Sequence, residues 1–206
     1  MWFSIAQIHF NFYLSYKFLA GYQLFVVGKP VFTFIRKRIV NLPMQNIEII
    51  KNWIAKFVIK LELCPFAYHP FSKGKIHFSA IDFTEQTKFM MHFWEEIERL
   101  ESFSKEEISN SIIVISSGLT DFTDYLETIN LCEGLLKMQE LEAAFQIASF
   151  HPDYQFANIG KEHPRNFTNR SPLPLIHILR VEEVAAAIEL YDNAVSYTHL
   201  TLPTKA

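Results

Sequence analysis

Between Ser149 and Arg180 the chain reads SFHPDYQFANIGKEHPRNFTNRSPLPLIHILR, an irregular stretch dense in hydrogen-bonding side chains. His151 follows an apolar run directly, where an imidazole can serve as acid, base or metal ligand. Asp153, two residues on, is placed to orient it, and Tyr154 offers a wall for a pocket. Asn169, Arg170 and Ser171 precede what reads as a helix start. A guanidinium beside free helical N–H groups suits a carboxylate or phosphate. His177 and Arg180 then stand one helical turn apart. The pattern predicts a strand-end site in which Arg170, Asn169 and Ser171 hold a small anion and His151 moves protons, with Tyr154, His177 and Arg180 at its edge. Plainer roles compete at each position: a histidine at a strand end is commonly a hydrogen-bonded structural group, and Arg170 can tie its loop to the next element.

Cys64, in LELCPFA, opens a second possibility. Cys-Pro-aromatic is how a glutaredoxin-like redox site begins, but Ala67 stands where the second cysteine would be. Cys64 also closes a predicted helix, and a helix C-terminus disfavours a thiolate. A nucleophile paired with His151 and a buried structural thiol both stay open. Cys132 reads as core. A His/Asp/His metal site stays open, but no HExxH-like spacing supports it, so no metal ligand is assigned and the cofactor is left unknown.

These residues need a frame. Ile47, Ile50, Ile54, Phe57, Val58 and Leu61 step by three and four, predicting an amphipathic helix over 46–63 that Pro65 stops. Residues 75–81 alternate as a half-buried strand, with Ile76, Phe78 and Ala80 on one side. A helix over 85–101 presents Phe89, Phe93, Ile97 and Leu100. SIIVIS at 111–116 reads as a strand covered on both faces, 122–139 as a helix, and 143–150 as a third strand. The last helix is expected from Pro174 or Leu175 to Tyr191. This order predicts an α/β fold, a small sheet of three or four mainly parallel strands with right-handed crossover helices. An α+β ferredoxin-like sandwich competes if an edge strand lies within 156–168. Ligands of such sheets sit beyond the carboxyl ends of the strands, under the long loop over 157–174.

Composition narrows the partners. The 206 residues are 50% hydrophobic and 20% charged, with a formal net charge of -3. No basic stripe extends beyond Arg36-Lys37-Arg38, so nucleic acid is not an expected partner. Two cysteines without framework spacing fit a reducing, cytoplasmic setting. Residues 1–43 are aromatic-rich and hold no Asp or Glu. They read as translated AT-rich upstream DNA ahead of a start at Met44, or as a hydrophobic anchor, in which case a membrane is a partner. VSYTHLTLPT at 195–204 is what a transposase-end sequencing adapter encodes, so 195–206 read as an adapter artefact and 44–194 as one C-terminally truncated α/β domain.

Four segments resemble one family: LELCPFA at 61–67, LTDFTDYLE at 119–127, ASFHPDYQFA at 148–157 and FTNRSPLPLIHILR at 167–180. They are similar to the bacterial and plastid domain-of-unknown-function family numbered 1415, whose members read close to LNLCPFA, ASFHPxYQF and YTNRSPYPMLHLLR. The resemblance covers residues 53–187 and implies a small soluble protein of one domain, with no established activity to carry over. Departures are Glu62 for Asn, Leu173 for Tyr, and Ser116-Ser117 for His-Pro, the last removing a second strand-end histidine. The family's Ile-Pro-x-x-Asn segment is absent. Reaction and substrate stay open between an enzyme acting on a small anionic metabolite and a non-catalytic binding or regulatory module.

Overall fold

The computed structural model describes residues 43–64 and 66–189. The expected upstream extension or anchor and the expected adapter tail lie outside the described residues, apart from Pro43. Helix α1 (43–53) runs on into a π-helical stretch, Ile54–Ile59. Its apolar stripe is the predicted one, with Ile50, Ile54 and Val58 buried. The end is closed by backbone bonds: Glu62 N–H donates to the Ile59 carbonyl (3.0 Å) and Leu63 N–H to that of Val58 (2.9 Å). That pairing is a Schellman cap, which requires a left-handed residue, and Glu62 supplies it at φ 53°.

A short helix α2 (Tyr68–Ser72) leads into β1 (Ile76–Asp82), α3 (Gln86–Ser102), β2 (Asn110–Ser117), α4 (Phe122–Met138) and β3 (Phe145–Phe150). A 3-10 turn, Pro164–Thr168, then precedes β4 (Leu175–Arg180) and α5 (Val181–Glu189). The sheet order is β1-β2-β4-β3. β1 pairs with β2 in parallel, and β4 pairs antiparallel with both β2 and β3. β1, β2 and β3 therefore share a direction, and β4 enters between the last two against it.

This corrects the expected sheet, which was mainly parallel: two of its three pairings are antiparallel. The expected helix from Leu175 is instead the interior strand β4, and 156–168 hold a 3-10 turn instead of an edge strand. The cause is local. Leu175, Ile176, Ile178 and Leu179 recur at one, three and four, which fits a helix face and a doubly covered strand equally well. The six-residue length and the flanking prolines favour the strand.

Two apolar layers sandwich the sheet. On one face α3 and α4 pack Phe89, Phe93, Ile97, Tyr125, Ile129 and Leu136 onto Ile113, Ile115, Ile176 and Ile178. On the other, Ile50 and Ile54 of α1 meet Ile112, Val114 and Leu175. α1 covers only part of that second face. No helix among the described residues is long and apolar enough to cross a membrane.

Two polar groups inside the first layer are fully partnered. The Tyr125 hydroxyl donates to the Leu175 carbonyl (2.8 Å) and accepts from Phe150 N–H (2.9 Å), bridging α4 to the facing ends of β4 and β3. Glu96, 1% exposed, accepts from the Ser111 hydroxyl (2.5 Å) and faces His77 and Arg99 at 3.5 Å each. Burial alone would raise its carboxyl. The hydrogen bonds from His77 and Ser111, with the charges of His77 and Arg99, outweigh it and bring the group down to about 2.

Two outcomes follow from these contacts. Glu62→Asn or Glu62→Gly relieves the left-handed strain and raises unfolding free energy by roughly 1 kcal/mol in urea melts; no gain would mean that the cap is not strained. Because the folded pKa of Glu96 is depressed, its contribution is complete above pH 4.5 and drains away as pH falls toward 2. Glu96→Gln lowers stability at pH 7 by about 2 kcal/mol and flattens the acid limb between those two values. An unchanged limb would show that Glu96 is not held as described.

Candidate functional site

Residues 151–174 join two adjacent antiparallel strands by a long excursion, and that excursion must satisfy its own backbone groups. Its polar side chains do this. Asn166, fully buried, accepts from Phe156 N–H (3.0 Å) and donates to the carbonyls of Gly160 and Lys161 (2.9 Å each). Asn169 Nδ2 donates to the Ser149 carbonyl (3.0 Å), and the Ser171 hydroxyl to that of Leu173 (2.6 Å). Arg170 spans the loop, with Nε on the Tyr154 carbonyl (3.1 Å), Nη2 on that of Lys161 (2.6 Å) and the guanidinium over Phe167.

His151 belongs to the same scheme. Its Nδ1 accepts from Asp153 N–H (3.0 Å), so Nε2 carries the proton and donates to the Leu119 carbonyl (3.1 Å). Desolvation lowers its pKa, against the opposing pull of that Leu119 bond and of Asp153 and Asp121. Leu119 is held at φ 48° after Gly118 at φ 82°, where a Cβ would meet the Phe83 carbonyl oxygen at 2.7 Å. His151 therefore fastens a left-handed turn to the end of β3. The Asp153 carboxylate is exposed and faces Lys161 at 3.8 Å; only its backbone N–H touches the imidazole.

Two placements differ from the expected site. No helix begins after Arg170, because the next element is β4, so the expected helical anion seat is absent there. His177 and Arg180 lie on opposite faces of β4 instead of one helix face. Arg180 turns to the α3 side, donating to the carbonyls of Leu100, Phe103 and Ile108. His177 turns to the other.

On that other face, beside α1, lies a groove of about 650 Å³. Ile112, Ala148, His177 and Leu179 form its floor, Trp53 and Val58 one wall, and Val184 and Ala187 another. Cys64, Phe66 and Asn169 stand at its margin. Of the residues singled out in the sequence, Cys64, Asn169 and His177 line it, and Arg180 borders it while its guanidinium stays bonded on the α3 side; His151, Asp153, Tyr154, Arg170 and Ser171 do not line it. Tyr154 is buried among Phe122 and Phe156. Burial pushes the Cys64 thiol up, although the N–H groups of Phe66 and Ala67 oppose it, so Cys64 is held as a thiol. It sits in the turn between α1 and α2, not within a helix. Among the described residues no group of three His, Cys, Asp or Glu is arranged to hold a metal ion.

Charged residues line the groove as well, among them Lys75, Glu106 and the pair Lys105–Glu182 (3.2 Å), and a hydrogen-bonded polar chain ends at His177. His177 Nε2 lies 2.9 Å from Asn110 Oδ1, Asn110 Nδ2 donates to the Ser109 hydroxyl (3.1 Å), and that hydroxyl donates to Glu183 (2.8 Å). Desolvation lowers the His177 pKa to about 4, so the ring is neutral at neutral pH. Asn110, Ser109 and Glu183 had no sequence signal of their own. Reading 175–180 as a strand would have set His177 between Leu175 and Leu179 and so exposed the position.

His151→Phe keeps the ring packing against Phe122 and Tyr125 but strands the Leu119 carbonyl and the Asp153 N–H. We expect a loss of about 2 kcal/mol, read as a melting point lower by roughly 4–8 °C. An unchanged melting point would remove the fastening role.

A family model described as a protein of unknown function, DUF1415, matches residues 45–199. No curated protein and no solved structure matches the chain. The matched span takes in every described element except the first two residues of α1, and it includes the groove and the connection over 151–174. The chain belongs to the domain-of-unknown-function family numbered 1415.

Proposed function

We propose that the domain is a small-molecule-binding module whose site is the groove between α1, α5 and the sheet. The observation that carries this reading is the combination of a mostly apolar cavity of about 650 Å³ with a hydrogen-bonded polar chain that ends at His177. Ligand sites are of this size and kind: mostly apolar lining, with a few placed polar groups that fix orientation. A neutral imidazole, an amide and a hydroxyl at the floor can orient a ligand without carrying charge. The strand-end reading, with His151 as proton carrier and Arg170 as anion clamp, has less support. Both nitrogens of His151 are engaged by backbone groups, and Arg170 spends two of its donors on its own loop.

A neutral fluorescent amine, N-phenyl-1-naphthylamine, tests the site. It is expected to bind the full chain saturably, one molecule per chain. Ala148→Phe fills the floor beside His177, its paired neighbour on β4, and should weaken binding at least tenfold. That factor corresponds to about 1.4 kcal/mol. Equal binding by wild type and Ala148→Phe would remove the groove as the site.

A further inference from the structure

The hydrogen bonds behind His177 run one way only, and their direction constrains what the groove accepts. The chain begins at Glu183 on the first turn of α5, whose carboxylate oxygens accept and do not donate. The Ser109 hydroxyl spends its only proton on Glu183 Oε2 at 2.8 Å, so it faces Asn110 with lone pairs. Asn110 must then point Nδ2 at Ser109 (3.1 Å), which turns Oδ1 toward the imidazole. An amide oxygen can only accept, so the Nε2 atom 2.9 Å away carries the ring proton. Each bond fixes the next. Glu183 is thus a positioning residue that sets the tautomer of a side chain three hydrogen bonds away.

We infer that the groove is selective for neutral ligands whose polar head donates a hydrogen bond, such as an alcohol or a primary amide, and rejects carboxylates of the same length; this rests on the groove being the ligand site. With its proton held at Nε2, the ring offers the groove a lone pair at Nδ1, to which no described residue donates. A hydroxyl or amide N–H satisfies that acceptor. A carboxylate or phosphate seated at His177 brings only lone pairs to it and loses its hydration with no donor from the ring in exchange, while Lys105 and Arg180, which also border the groove, are already bonded to Glu182 and to backbone carbonyls. The ring stays neutral because burial disfavours the imidazolium, so it does not become a cation for an anionic head at neutral pH.

Displacement of N-phenyl-1-naphthylamine at pH 7.5 by 1-octanol, octanamide and octanoate separates the possibilities. The alcohol and the amide should displace the probe at least tenfold more effectively than octanoate. Ser109→Ala cuts the chain and frees the Asn110 amide to turn, which should shrink that preference below threefold. Octanoate equal to or better than octanol would overturn the selectivity while leaving the groove as a site. Failure of all three to displace a probe that Ala148→Phe excludes would also overturn it. Failure of the probe itself to bind would instead remove the site. A nitrogen-15 spectrum of the wild-type histidines gives an arm that needs no ligand and no variant: His177 should show a protonated Nε2 and a bare Nδ1. The reverse tautomer overturns the inference.

Discussion

The gap between β2 and β3 is the constraint from which the rest of the structure follows. α4 carries the chain from one parallel strand to another two positions away, which leaves a row of backbone donors and acceptors facing each other with no partner. Buried peptide groups cannot be left that way. β4 closes the gap, satisfying β2 on one side and β3 on the other, and Tyr125 bolts the entry of β4 to the exit of β3. To run antiparallel, the chain must turn back at the end where β3 finishes. The long connection over 151–174, the burial of His151 and the placement of His177 on the open face are consequences of that reversal.

Seen this way, the density of polar side chains between Ser149 and Arg180 has a structural cause. Irregular chain that is packed down has no ladder to absorb its N–H and C=O groups, and side chains must stand in. Asn166, Asn169, Arg170 and His151 each bond to two or more groups of the loop and its neighbours. In a sequence, a side chain that binds a ligand and one that binds its own main chain look alike. Donor and acceptor inventory does not tell them apart; the backbone path does.

How much could be read beforehand divides along the same line. The stripes on α1 and α3, the alternation in β1 and the apolar block of β2 are repeated local signals, and each placed its element to within a few residues. β4 is six residues long and its apolar positions suit a helix face and a strand alike, so its period carried no information, and the mistake moved two side chains. His177 and Arg180 shared a face in the expected helix, whereas in the strand they diverge, one to the groove and one to the carbonyl end of α3. The family resemblance drew attention to position 62. Asn there in other members suits the left-handed cap that Glu62 occupies under strain.

The interior position of β4 also bears on how the domain is assembled. During synthesis, β1, α3 and β2 leave the ribosome before β3 and β4 and can pair as a parallel unit through a single crossover helix. β3 follows but has no neighbour to join. Until residue 180 has emerged, β2 and β3 each present an open edge, and such edges pair readily with foreign strands. Closure then depends on contacts distant in sequence, such as Tyr125 with Leu175, which makes folding slow relative to helical bundles of the same length. The segment whose arrival completes the sheet also delivers His177, so the floor of the groove and the closed sheet come into being in one step.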